Sequence, residues 1–359
     1  MHPTLHTRLC DLLGIEAPII QTAMGWVATP ELVAATCNAG AIGFLAAATM
    51  RAGDAQSAIR RVRSLTDRPF GVNFLMEQPD AAGVVDAIIQ QGVRVASYSR
   101  SPDRGFVRRL KAAGVVCIPT VGAVRHAVKA VELGADAVIA QGGEGGGHTG
   151  SVPTTLLLPQ VVAAVRVPVV AAGGFRDGRG LVAALAWGAS GIAMGTRFLL
   201  TVESPVPEAT KKRYLAASVD DTIVTRRIDG LPQRVIRNEL VEELERSSGP
   251  RLLAVALRNA VAFRRLTGSS LPQLLRSALA LRRGRGLSVA QLLMAANAPV
   301  MVRAAVVDGR PDRGVMPSGQ VTGLIDDVPT CADLVGRIVA EAAETLAVLG
   351  APRQDDRNG

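Results

Sequence analysis

A chain of 359 residues with 48% apolar side chains carries enough hydrophobic material for a large core, which excludes disorder and allows one α/β domain with an appendage or two equal domains. Its net charge of +9 is uneven: residues 197–290 hold 17 Lys and Arg against 9 Asp and Glu, and 246–285 hold nine arginines and no acid. That stretch has one aromatic residue, Phe263, and no nucleic-acid-binding motif, so a site for a phosphate-bearing small molecule, or solubilised faces of amphipathic helices, fits it better than a nucleic-acid groove.

Cys10, Cys37, Cys117 and Cys331 lack C-x-x-C spacing, which favours reduced thiols over a disulfide frame. With four histidines a metal centre lacks ligands, so no metal is expected. No charged-then-apolar leader and no run of about eighteen apolar residues is present. The expectation is a cytoplasmic protein without membrane or nucleic-acid partners, as a monomer or a homo-oligomer.

Between Ala17 and Thr196 a helix-like segment repeatedly ends at glycine and a short β-rich run follows. The glycines are Gly40, Gly92, Gly114, Gly134 and Gly188, each suited to the left-handed cap of a helix. The predicted strands are residues 18–21, 42–45, 69–73, 93–96, 115–118, 137–139, 168–172 and 191–194. Spacings of 22 and 20 residues between the middle glycines match one compact βα unit, so the strands should be parallel, and eight of them close a barrel. An open doubly wound sheet would want a phosphate fingerprint after its first strand, where Thr22-Ala-Met-Gly-Trp26 stands instead. The fold class is α/β, a (β/α)8 TIM barrel.

The sixth predicted strand runs into Gln141-Gly-Gly-Glu-Gly-Gly-Gly-His148-Thr-Gly150, with six glycines in ten residues. Glycine lets backbone N–H groups approach an anion or a flat ring, and His148 is the protonatable group set among them. Gly145, Gly147 and Gly150 also match G-x-G-x-x-G, but Pro153 interrupts where a dinucleotide fingerprint would open into a helix. A barrel's phosphate site is expected after strands seven and eight, here Ala172-Gly-Gly-Phe175 and Met194-Gly-Thr-Arg197, the second adding a hydroxyl and the Arg197 guanidinium. One phosphate suggests a mononucleotide. Ala23, Met24 and Gly25 would let a ring lie against backbone, and the Asn73 and Gln141 amides match the alternating donors and acceptors of a flavin's pyrimidine edge.

After Arg197 the pattern changes. Residues 201–299 read as a mainly helical, arginine-rich insertion or lid, with two predicted strands in 220–237 around Asp229-Gly230. Residues 1–200 and 300–350 would form the barrel, 331–349 its last helix, and 351–359 a loose tail.

These motifs together resemble the nitronate monooxygenases, also called 2-nitropropane dioxygenases, a family of FMN-dependent barrels. The resemblance rests on Gln21-Thr-Ala-Met24, Gly71-Val-Asn73, the glycine-histidine loop, Ala172-Gly-Gly174, Met194-Gly-Thr-Arg-Phe198 and Ser318-Gly-Gln320. It implies FMN held by Met24, Asn73, Gln141, Gly147, Gly173, Gly174, Gly195 and Thr196, with Ala23, Gly25 and Gly146 beside them and His148 at the reactive part of the flavin. A narrower likeness is to the flavin reductases of actinobacterial steroid-ring degradation, which act on a bicyclic CoA thioester. That likeness implies hydride transfer between NADH or NADPH and a CoA thioester, with His148 moving the matching proton, Glu144 orienting the imidazole or fastening the loop, and Ser318, Gln320 and Arg197 on the substrate. The alternatives are oxidation of an alkyl nitronate by oxygen and a flavin-free barrel that binds acyl-CoA or phosphate.

Overall fold

The computed structural model describes residues 2–99, 103–247 and 289–351; 248–285 of the arginine-rich stretch and 352–359 of the expected tail lie outside the described residues. The barrel strands are β1 Ile19–Gln21, β2 Ile42–Ala46, β3 Gly71–Leu75, β4 Val95–Ser99, β5 Val116–Cys117, β6 Thr120–Val121, β7 Val138–Gln141, β9 Val169–Ala172 and β10 Gly191–Met194. They run in the order β5-β4-β3-β2-β1-β10-β9-β7-β6, and every pairing is parallel. The fifth predicted strand is therefore two pieces. Proline has no N–H to give a ladder, and Pro119 breaks the strand so that β5 pairs with β4 while β6 pairs with β7, closing the ring.

Inside the barrel, Ile20, Ile42, Phe44, Val95, Ile139 and Val170 meet Leu9 and Leu13 of the helix Arg8–Leu13, which plugs the amino-terminal end. Gly71 makes room for Phe44: a Cβ there would stand 2.4 Å from its ring. Helices cover the outside, and the five glycines expected to cap them all adopt positive φ, from 59° at Gly92 to 101° at Gly134. The helix Cys331–Gly350 packs against Gly178–Ala186 and Pro30–Asn38, completing the outer ring between its last and first members. A Cβ on Gly178 would stand 2.4 Å from the Ala342 nitrogen, so that contact requires glycine. All four cysteines are free and buried.

The described part of the insertion is not purely helical. After the helix Glu208–Leu215 come antiparallel strands β11 Thr222–Thr225 and β12 Gln233–Ile236, then the helices Glu239–Arg246 and Val289–Val306. The other edge of β12 pairs with β8, Gly147–His148, inside the glycine loop, placing Gln233 opposite His148 and Arg234 opposite Gly147. Ile228, Val235, Leu240, Val241, Leu244, Met301 and Val315 form a small core beneath this hairpin. The insertion thus reaches back to hold the barrel's own loop. Among the described residues no helix is long and apolar enough to cross a membrane.

Candidate active site

A cavity of about 390 Å³ opens at the carboxyl ends of the barrel strands, within the size range of small-molecule sites. Every residue that the family resemblance set around FMN lines it, as does His148; Glu144, Ser318, Gln320 and Arg197, the last also expected at the phosphate, do not. Its floor is polar and uncharged, with Asn73 Nδ2 donating to Ser97 Oγ at 3.3 Å and Thr120 and Gln141 alongside. Its outer wall is apolar, built by Leu199, Val302, Val306 and Val321 with the ring of Tyr214, whose hydroxyl donates to the Pro317 carbonyl at 2.9 Å.

The glycine loop is fastened from several sides. A Cβ on Gly142 would stand 2.1 Å from Thr154 Oγ1, one on Gly145 2.6 Å from Gln141 Nε2, and one on Gly146 2.5 Å from the Gly319 nitrogen. Glycine is needed there by the protein's own packing. Gln141 Nε2 donates to the His148 carbonyl at 2.9 Å, and Arg234 donates to the Gly143 carbonyl from Nε and Nη2 at 3.1 and 2.9 Å. The Glu144 carboxylate turns away from the imidazole and accepts from the N–H and hydroxyl of Thr154, at the start of the helix Thr154–Ala164.

The acid that does meet His148 is Asp229, 81 residues away. His148 Nε2 lies 2.6 Å from Asp229 Oδ2, and the Gln233 amide nitrogen lies 3.2 Å from the same ring nitrogen. The imidazole is half exposed whereas the Asp229 side chain is 14% exposed. Burial pushes the Asp229 carboxyl up, but hydrogen bonding and charge from His148, with the Leu231 N–H and the Gln233 amide, outweigh it and hold the group below the usual carboxylate value. The sequence marked Asp229-Gly230 as a turn, and nothing local tied that turn to the loop.

Across the cavity, Gly173 and Gly174 sit at φ 101° and 86°, and Gly195 precedes the helical turn Thr196–Leu199. Among the described residues the N–H groups of Gly174, Gly195 and Thr196 have no protein acceptor, which suits them to one phosphate. Arg197 does not join them. Successive helical side chains diverge by about 100°, so while Thr196 faces the cavity, the buried Arg197 guanidinium donates to Asp327 Oδ1, the Asp327 carbonyl and the Leu200 carbonyl, each at 2.8 Å. Ser318 is likewise buried, its hydroxyl donating to the Gly319 carbonyl at 3.1 Å, and Gln320 donates its backbone N–H to the Glu144 carbonyl at 3.0 Å. That segment meets the cavity through Pro317, Gly319 and Val321. Among the described residues no His, Cys, Asp and Glu gather as a metal site. The arrangement provides an uncharged polar floor, an anion cradle, one imidazole and an apolar outer wall.

The family model for nitronate monooxygenase matches residues 6–87 and 82–341. The chain is 53% identical over 350 residues to a protein of Rhodococcus jostii (strain RHA1) named (3aS,4S,5R,7aS)-5-hydroxy-7a-methyl-1-oxo-octahydro-1H-indene-4-carboxyl-CoA dehydrogenase, covering 98% of this chain and 99% of that one. A Mycobacterium tuberculosis (strain ATCC 25618 / H37Rv) protein of the same name is also 53% identical over 350 residues, covering 97% and 99%. Among solved structures, FabK from Thermotoga maritima superposes with a TM-score of 0.78 at 35% identity, covering 96% of this chain and 98% of that one.

Proposed function

The chain belongs to the nitronate monooxygenase family and is a flavin-dependent oxidoreductase, and from that premise we propose that it uses FMN to exchange hydride between NADH or NADPH and a CoA thioester. The observation that carries this reading is the extent of the likeness to the two proteins named as CoA-thioester dehydrogenases, which runs through the inserted segment that contributes Tyr214 to the outer wall and supplies Asp229.

The residues fit FMN. Gly174, Gly195 and Thr196 would receive its single phosphate on unshared N–H groups, and Asn73 and Gln141 would meet the polar edge of its ring, with Ala23, Met24 and Gly25 against the ring's flat surface. Gly146, Gly147 and Gly173 complete the walls of that seat. Bound FMN supplies a reversible hydride acceptor. His148, on the loop over the cavity, takes or returns the proton that accompanies the hydride. Leu199, Tyr214, Val302 and Val306 exclude water and receive an apolar acyl group. The phosphates of CoA suit the acid-free arginine stretch of the sequence at 246–285.

The test is anaerobic absorbance of the purified protein, titrated separately with NADH, NADPH, a bicyclic hydroxyacyl-CoA and an alkyl nitronate. Bleaching of the flavin band by a nicotinamide or the thioester is the expected result. Bleaching by nitronate alone would make the protein a nitronate monooxygenase, the reading that the matching family's name favours. Failure of the FMN-reconstituted protein to hold flavin would leave a binding barrel.

A further inference from the structure

A histidine that exchanges a proton with substrate needs one ring nitrogen held and the other available. An ionised carboxylate accepts hydrogen bonds and cannot donate them, so the 2.6 Å contact with Asp229 Oδ2 requires the proton to sit on His148 Nε2, and the Gln233 amide nitrogen, 3.2 Å from that nitrogen and itself only a donor, then gives its N–H to the Asp229 carboxylate and not to the ring. The other nitrogen, Nδ1, has no partner among the described residues, and His148 lines the cavity.

The mounting of Asp229 is rigid. Ile228, immediately before it, is fully buried in the small core beneath the hairpin. Gly230, immediately after it, adopts φ 84° and donates to the Arg226 carbonyl at 3.1 Å, closing the turn that aims the carboxylate. Asp229 Oδ1 accepts from the Leu231 N–H at 3.0 Å, which leaves Oδ2 for the imidazole. The pairing of β12 with β8 puts Gln233 directly across from His148, so sheet register fixes where the hairpin meets the histidine loop. The other charged groups around the loop are engaged elsewhere: Glu144 with Thr154, and Arg234 with the Gly143 carbonyl and Thr222 Oγ1.

We propose that Asp229 is a positioning residue, carried into the site by the inserted hairpin, that holds His148 in the tautomer with its proton on Nε2 and so presents Nδ1 as the proton-exchanging nitrogen. This rests on the reading of the site as a hydride-transfer centre. In the oxidative direction the flavin, when bound, would supply the acceptor for the hydrogen and electron pair of a substrate C–H bond. As the double bond to the adjacent atom forms, Nδ1 takes the proton from that atom's own O–H or C–H bond, and the imidazolium so formed lies beside the Asp229 carboxylate that stabilises its charge; reduction returns the same proton. The insertion is then part of the catalytic apparatus, not merely a cover.

The experiment compares the flavin-loaded wild type with Asp229→Asn and Asp229→Glu. Long-range proton–nitrogen NMR of the imidazoles, with the His148 signals assigned by their loss in His148→Ala, should show the Nε2–H form in the wild type and a mixture or the other tautomer in Asp229→Asn. In the same variant kcat should fall about 10²- to 10⁴-fold, with KM and flavin content within about twofold of wild type, and Asp229→Glu should recover most of the loss. An unchanged tautomer with unchanged kcat would overturn the proposal, and so would a loss confined to KM or flavin content. The tautomer is read without turnover. A wild type that holds the Nε2–H form yet reacts with neither nicotinamide nor thioester would defeat the hydride-transfer reading and, with it, the catalytic half of this proposal, while the orienting role of Asp229 would stand on the tautomer shift alone.

Discussion

Glu144 Oε2 lies 2.9 Å from the Thr154 nitrogen and 2.8 Å from the Thr154 hydroxyl, so the acid four residues before His148 fastens the glycine loop to the start of a helix. A carboxylate at a helix start also faces the positive end of the backbone dipoles. Glu144→Gln keeps the shape and removes the charge, and since a hydrogen bond to a charged group contributes about 1.5–3 kcal/mol, the expected cost is about 1–3 kcal/mol. Thermal denaturation should show Tm lowered by several degrees while kcat of the flavin-loaded enzyme stays within about tenfold. A hundredfold loss of kcat at unchanged Tm would place Glu144 in the chemistry instead.

His148→Ala should separate chemistry from cofactor binding. The imidazole is half exposed, and the loop around it is held by backbone pairing and by contacts through Gln141, Glu144 and Arg234 that the substitution leaves in place. Flavin stoichiometry, read from the visible spectrum, should stay near that of wild type. Turnover should fall about 10²- to 10⁴-fold, the usual contribution of a positioned acid or base. Turnover within threefold of wild type would remove His148 from the mechanism.

Much of the barrel was legible because its signals are local. Each of the glycines Gly40, Gly92, Gly114, Gly134 and Gly188 announces a helix end by a conformation that side chains avoid, and all five adopt it. Apolar runs between them are strands because both faces are buried. The break at Pro119 was legible in principle from the missing N–H. What sequence could not convey is pairing at a distance. β8 is two residues long and exists because β12 lies beside it, and Asp229 reaches His148 through that pairing. Arg197 illustrates the reverse error: its place in Met194-Gly-Thr-Arg197 suggested a phosphate ligand, but one step along a helical turn carries its side chain to Asp327.

Gly174→Ala tests whether the cradle depends on backbone shape. At φ 86° a Cβ is disfavoured by about 1–2 kcal/mol, while the nearest atom it would meet, Glu144 Cβ, stands at an unstrained 3.8 Å. The cost should therefore fall on the conformation that presents the Gly174 N–H and not on packing. Dialysis against flavin-free buffer should strip flavin from the variant, with affinity reduced about tenfold, whereas Tm of the flavin-free protein drops by a few degrees at most. Undiminished affinity would mean that this N–H does not hold the phosphate.

Asp327 links the Arg197 turn to the barrel's last helix, its carboxylate 2.8 Å from Arg197 Nη1 on one oxygen and 2.8 Å from Arg337 Nη1 on the other. Burial raises its carboxyl, but the Arg337 hydrogen bond together with the charge and hydrogen bond of Arg197 outweighs that effect and holds it below the ordinary carboxylate value. The folded-state value is depressed, so the stabilisation is complete above the unfolded value of about 3.9 and is lost as pH falls through the lower folded one. The Asp327 side chain is 38% exposed, and solvent screening limits its ion pairs, whereas Arg197, at 5%, would be left as a buried charge holding two carbonyl acceptors. Asp327→Asn should therefore cost about 1–3 kcal/mol at neutral pH. The Tm gap between variant and wild type should be constant above about pH 5 and close as pH falls below about 4, because the wild type then loses what the variant never had. A gap that stays constant down to about pH 2.5 would mean that packing, not charge, is what Asp327 contributes.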